Sequence, residues 1–287
     1  MIHTRPLGPL HLDTVDAPEG RGAAVLCLHG LFAGAWVYHG LLPRIAARGH
    51  PASALSFRGH PPLAPDASMG RHSIAAYCHD AAEACRALDR PIVIGHSLGG
   101  LVAQMLLARN LARAAVLVSA APPRGIPVLT PQLLLRMGRY LPALAFSRAF
   151  KPTDADLDAL VLNRVPPQAR APLRDRLVAD SGRAARQAAL GSVSVDAGSV
   201  RGPVLVVSGD RDRFVPLGVA RRLAARYGAP LHVAAGHGHF LLGEPGWETH
   251  ADALLDWITA LPRGVRDAIP TIRTRAATVN APPARGV

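Results

Sequence analysis

The sequence predicts an α/β protein: a mostly parallel, doubly wound sheet with an inserted helical cap. Three observations predict it. Short apolar runs alternate with stretches of helical period over residues 23–118 and again over 204–261, an alternation that builds a parallel sheet with helices on both faces. Between those blocks, residues of about 121–200 hold no good strand, yet they carry Leu133, Leu134, Leu135, Met137, Tyr140, Leu141, Leu144, Phe146 and Phe150 among many prolines. Within the first block a glycine-rich turn, Gly95-His96-Ser97-Leu98-Gly99-Gly100, stands between an apolar run and a helical pattern.

Each element follows from its own residues. Residues 23–28 read as a buried strand, being continuously apolar. Residues 36–48 read as a helix stopped by Gly49, and 52–57 as the next strand. A helix over 73–88 has Ser73 at its start, where a hydroxyl can accept from a free backbone N–H. Strand 91–94 leads into the glycine-rich turn, a helix running to Asn110 follows, and 114–118 is another strand. After the helical insertion the order resumes with strand 204–207, helix 217–227, strand 231–233 and a last helix over 248–261. Residues 1–120 and 201–262 therefore form one core, 121–200 a helical cap, and 263–287, rich in Arg, Pro and Ala, a mobile basic tail.

Composition narrows the function. A chain of 287 residues, 49% apolar, can bury one large core plus a cap. No apolar stretch approaches the roughly 18 residues that span a bilayer, and the first residues lack a signal-peptide core, so a cytoplasmic protein is expected. The three cysteines fit a reducing compartment. Cys78 and Cys85 stand seven apart on one helix, beyond the ~7 Å Cα limit for a disulfide. A net charge of +12 raises the question of nucleic acid, but the arginines are scattered, Lys151 is the sole lysine and no binding motif accompanies them. No nucleic-acid partner is expected; contact with an anionic surface through the tail is the residual role for that charge. No dinucleotide fingerprint, phosphate loop or zinc-type histidine pairing on a helix occurs, so neither cofactor nor metal is expected.

Chemistry concentrates at the turn. A Gly-x-Ser-x-Gly between strand and helix is a nucleophile elbow, which lifts the Ser97 hydroxyl above the sheet and aims a helix N-terminus at developing negative charge. A serine nucleophile needs a base, and the base an orienting carboxylate, all on loops after strand ends. Asp210 and Asp212 follow the 204–208 run, and His237 and His239 follow 231–234, in the order Ser, Asp, His. Asp in a tight loop bonds the turn's own backbone, the role expected of Asp210. The oxyanion needs two fixed N–H donors, and the amide of Leu98, next after the nucleophile, is one.

Five segments in order resemble the α/β-hydrolase superfamily, in its serine esterase and lipase branch, over residues of roughly 20–262. They are Leu28-His29-Gly30-Leu31-Phe32, Phe57-Arg58-Gly59-His60, the turn around Ser97, Gly209-Asp210-Arg211-Asp212 with Val215-Pro216, and Gly238-His239-Phe240-Leu241-Leu242-Gly243-Glu244-Pro245. The resemblance implies an α/β-hydrolase fold and selects among the doubled candidates. Asp212 ends the Gly-x-x-Asp turn that precedes Val-Pro, and His239 precedes Glu244 by the family's five residues. It also implies Leu31 as the second oxyanion donor, with Phe32 as the rival, and His29 as the residue that orients that loop. His96 occupies the elbow's variable position, where a packed or hydrogen-bonded side chain is expected. The implied activity is hydrolysis of carboxylic esters with hydrophobic acyl groups, by two-step acyl transfer through Ser97, His239 and Asp212. Thioester, amide or carbon–carbon hydrolysis on the same residues, and a non-catalytic ligand receptor on the same scaffold, are the alternatives.

Overall fold

Period-two patterning sorts each strand's side chains onto two faces, and the computed structural model shows where they go. It describes residues 1–262 apart from Glu19, Arg21 and Asp66. The strands are β1 (His3–Leu7), β2 (Leu10–Val15), β3 (Val25–Leu28), β4 (Ala52–Ser56), β5 (Ile92–His96), β6 (Ala114–Val118), β7 (Ala149–Phe150), β8 (Asp180–Ser181), β9 (Val204–Gly209) and β10 (Leu231–Ala234). Eight of them form one sheet in the order β1-β2-β4-β3-β5-β6-β9-β10, and every pair from β4 to β10 in that order is parallel. In β3, Leu26 and Leu28 face one core and Val25 and Cys27 the other. A strand buried on both faces is continuously apolar, as residues 25–28 are.

The helices of the sheet are α1 (Leu41–Ala47), α2 (Ile74–Ala87) and α3 (Leu98–Ala108), then, after the insertion, α9 (Leu217–Tyr227) and α10 (Trp247–Thr259). Helices α2, α3 and α9 bury Tyr77, Leu101, Leu106 and Leu223 on one face of the sheet. Helices α1 and α10 bury Leu42, Ile45, Leu254 and Ile258 on the other. Ser73 caps α2 as expected, accepting from Ala76 N at 3.1 Å. The family of helices and strands thus has the alternation read from the sequence, with two differences.

The expected helix over 36–48 is two pieces, a 3₁₀ turn at Ala35–Tyr38 and then α1. Pro43 has no N–H to return to residue 39, so a continuous helix would lose that bond; starting at Leu41 puts the proline in the first turn, where no such bond exists. The β1–β2 hairpin was not anticipated. It turns at Gly8 (φ +56°), and β1 is an exposed edge strand containing Pro6, so it lacks the apolar signal of the interior strands.

Between β6 and β9 lie α4 (Pro131–Met137), α5 (Leu141–Ala145), α6 (Asp154–Leu160), α7 (Pro167–Arg176) and α8 (Gly182–Ala189). The β7–β8 pair is two residues long on each side, too short to leave a period in the sequence. From this segment Tyr140, Phe150, Leu157 and Leu177 pack with Phe32 and Ala33 of the loop after β3. Among the described residues no helix is long and apolar enough to cross a membrane. The tail, 263–287, lies outside the described residues.

Candidate active site

Ser97 sits where β5 gives way to α3, with φ +52° and ψ −117°. This left-handed conformation is costly for a residue with a Cβ and persists because its surroundings hold it. Ser97 N donates to Val118 O at 3.0 Å, and Ser97 O accepts from Gly100 N at 3.0 Å and Ala121 N at 2.9 Å. The flanking glycines are steric requirements: a Cβ on Gly95 would collide with the Gly99 carbonyl, and one on Gly99 with the Leu28 carbonyl. Strand, helix and neighbouring strand can approach only because those side chains are absent.

The loop after β9 carries Asp212 and the loop after β10 carries His239, both almost fully buried. Asp212 Oδ1 accepts from the N–H groups of Phe214 and Val215, each at 2.8 Å, which fixes the carboxylate. Its other oxygen lies 2.9 Å from His239 Nδ1. A ring nitrogen that donates there leaves Nε2 as the free, basic position. Asp210 is elsewhere: it accepts from Gly236 N at 2.7 Å, bracing the neighbouring loop and not its own turn. His237 packs against His250 at 4.5 Å between ring centroids and does not meet Asp212. Of the doubled candidates, the fold brings together Asp212 and His239.

Two further residues hold the His239 loop. Glu244, buried, accepts from Gly238 N at 2.7 Å, which gives the five-residue spacing a physical reason. His96 Nε2 lies 2.8 Å from the His239 carbonyl, to which its N–H donates. Burial first, then the nearby His239, brings the His96 pKa down to about 3, so it is a neutral brace. Sequence reading allowed His96 a hydrogen bond but could not name the partner, which lies 143 residues away.

Ser97, His239, Gly30 and Leu31 line one cavity of about 40 Å³, walled by Phe32, Val37, Leu157, Val161, Leu177, Phe214 and Phe240. Among the described residues no hydrogen bond joins Ser97 Oγ to His239; the two side chains share the lining of the same cavity. Leu98 is the first residue of α3, so its amide has no partner within the helix. Across the cavity, His29 is wholly buried and neutral, its pKa brought to about 3 by burial and then by His60. It accepts from Phe57 N at 3.2 Å through Nε2, so Nδ1 carries the proton and donates to Gly30 O at 2.7 Å. Because a trans peptide points its C=O and N–H in opposite directions, this bond turns the Leu31 N–H away from His29. The rival donor, Phe32 N–H, is already given to Asp180 Oδ2 at 2.8 Å. The three cysteines are buried and free, and burial pushes each thiol pKa up, so none is a nucleophile here. Among the described residues no group of His, Cys, Asp and Glu is arranged to hold a metal ion.

An eight-stranded, mostly parallel sheet of this topology, with a glycine-flanked serine at a strand-to-helix turn and a buried aspartate–histidine pair, defines a class. A sequence profile of the alpha/beta hydrolase family matches residues 25–257, and the chain belongs to that family. It is 29% identical over 260 residues to a monoacylglycerol lipase of Mycolicibacterium smegmatis, covering 84% of this chain and 89% of that one. Among solved structures it resembles the monoacylglycerol lipase of Paleococcus ferrophilus, with a TM-score of 0.69 and 23% identity over 87% of this chain and 98% of that one. It also resembles an enol-lactonase from Burkholderia xenovorans, with a TM-score of 0.69 and 19% identity over 90% of this chain and all (100%) of that one. These structural likenesses bear on the fold.

Proposed function

We propose that this protein is a serine hydrolase that cleaves carboxylic esters through an acyl-enzyme. The observation that carries the reading is the buried Asp212–His239 pair at 2.9 Å, with the Ser97 elbow opening into the same cavity as that histidine. In the proposed cycle His239 Nε2 takes the Ser97 proton as Oγ attacks the ester carbonyl. The amides of Leu31 and Leu98 stabilise the tetrahedral oxyanion, and His239 returns the proton to the departing alcohol. Water, activated by the same imidazole, then releases the acid. Asp212 holds the tautomer and stabilises the imidazolium.

The walls of the cavity favour an apolar acyl group, since Leu157, Val161 and Leu177 of the 121–200 segment line it together with Phe32, Val37, Phe214 and Phe240. That segment serves as a cap in this reading. The similarity to a monoacylglycerol lipase supports an ester substrate. The test is turnover of p-nitrophenyl acetate by Ser97→Ala. The expected loss is about 10⁴-fold or more, with the circular dichroism spectrum unchanged; wild-type turnover by the variant would remove the serine from the mechanism.

A further inference from the structure

The 121–200 segment contributes a buried carboxylate that does not line the cavity, and the cycle above gives it no work. Asp180 of β8 is 1% exposed, and each of its oxygens has two donors. Oδ2 lies 2.9 Å from His60 Nε2 and 2.8 Å from Phe32 N. Oδ1 accepts from Tyr77 OH and from its neighbour Ser181 N, both at 2.6 Å. A buried carboxylate needs such a set to stay ionised, and a structural role would be satisfied by it anywhere in the core. Its placement is what points further.

Phe32 follows the proposed oxyanion donor Leu31 and has φ +68°, a strained conformation for a side-chain-bearing residue. The segment around Asp180 holds Phe32 at both ends: Phe32 N donates to the carboxylate, and Val178 N donates to Phe32 O at 2.8 Å. On the other side His29 fixes the Gly30–Leu31 peptide through Gly30 O. Two consecutive planar peptides, one on each side of the Leu31 Cα, are thus held by side chains. The first is held from the sheet and the second from the cap. A charge-assisted bond to a backbone N–H is stronger than a neutral one, which suits a strained turn.

Resting on the hydrolase reading, we propose that Asp180 is a positioning residue for the oxyanion hole. Its bond to Phe32 N–H holds the strained turn that aims Leu31 N–H at the reacting carbonyl, and His60 is the partner that keeps the carboxylate in place. Asp180 touches no substrate. Its effect belongs to the transition state, because a misplaced N–H weakens the oxyanion more than it weakens a neutral ester.

The test pairs steady-state kinetics on p-nitrophenyl acetate with inhibition by an alkyl trifluoromethyl ketone, whose serine adduct carries the oxyanion. In wild type the ketone should inhibit; absence of inhibition, together with an active Ser97→Ala, would defeat the hydrolase reading itself. Given inhibition, Asp180→Ala should lower kcat about 10- to 100-fold, below the ~10²–10³ of deleting an oxyanion donor, with KM within threefold and the ketone's Ki raised in parallel with the loss of kcat/KM. Asp180→Asn, which keeps an oxygen for Phe32 N–H, should recover part of both. Leu254→Ala, buried in the opposite core, is a destabilised control that should keep wild-type kcat and Ki. Should neither Asp180 variant fold, His60→Gln takes its place, with at least a fivefold fall in kcat and a parallel rise in Ki expected. Wild-type kcat and Ki in folded Asp180→Ala, or losses in Leu254→Ala equal to those in the Asp180 variants, would overturn the proposal, as would an unaffected His60→Gln in the fallback case.

Discussion

Asp210 and Asp212 are two residues apart and chemically identical, yet one bonds the imidazole of His239 and the other a backbone N–H of the adjacent loop. The same holds for His237 and His239. Motif spacing selected Asp212 and His239, but neither periodicity nor composition could, because loop residues follow no period. The geometry converts the choice into a measurement. Asp212→Asn should lower kcat on an activated ester by roughly 10³–10⁴-fold by leaving the imidazole in the wrong tautomer. Asp210→Asn should cost less than about fivefold, since an asparagine oxygen can still accept from Gly236 N. His239→Ala and His237→Ala should differ in the same sense. Equal, mild losses across either pair would contradict the assignment. At this scale the Phe57-Arg58-Gly59-His60 segment was visible as a resemblance, but the work of His60 was not, because its carboxylate partner lies 120 residues further along the chain.

The regular elements were legible where burial imposes a period. Strand 114–118 and helix 217–227 appear with those bounds, both being apolar in the pattern their surroundings require. The edge strand β1 and the two-residue β7–β8 ladder were not, since one is exposed and the other too short; β2, which buries Leu10 and Leu12 in alternation, did carry a period and was missed. Two predictions belong to elements. Leu177, after α7, lines the cavity proposed to hold the acyl group. Leu177→Ala should raise the ratio of kcat/KM for p-nitrophenyl hexanoate over acetate by about 10-fold, on the scale of one or two methylenes in an apolar pocket; a parallel series of esters checks it, and an unchanged ratio would place the acyl chain elsewhere. The second concerns the bond between β8 and the loop after β4. Burial would lower the His60 pKa, but the charge and hydrogen bond of Asp180 outweigh it and raise it. Burial would raise that of Asp180, but the charge and bond of His60, with the bonds from Tyr77 and Phe32, hold it well below the usual carboxylate range. His29 and Tyr77 pack on His60, and the Arg58–Asp80 ion pair lies at the same loop. A raised histidine stabilises fully below its unfolded value of about 6.5 and loses that contribution as pH rises through its folded value; a depressed aspartate stabilises fully above about 3.9 and loses it on acidification. The difference in urea-unfolding free energy between wild type and Asp180→Asn should therefore be greatest between about pH 4 and 6.5 and shrink on either side. A difference constant from pH 4 to pH 9 would show that the pair is not ionised.

Across the whole molecule, the insertion between β6 and β9 makes two contributions near Ser97. It lines the cavity through Leu157, Val161 and Leu177, and it bonds the loop after β3 through Asp180. The composition hinted at the first role through the apolar residues of 133–150, but the wall is built from Leu157, Val161 and Leu177 instead, and Leu134, Leu135, Leu141 and Phe146 are exposed. The composition held no sign of the second. Part of the arginine enters partly exposed ion pairs between elements: Arg44 and Arg48 pair with Asp252 across α1 and α10, and Arg174 with Asp158 within the insertion. Such pairs tie helix to helix. Ser97 is the proposed nucleophile, and active-site labelling tests it most directly. A fluorophosphonate should add once per chain, at Ser97 by peptide mass mapping, abolishing esterase activity in step with labelling, and Ser97→Ala should take up none. An adduct mapped to another residue, or full activity in a chain labelled at Ser97, would contradict it.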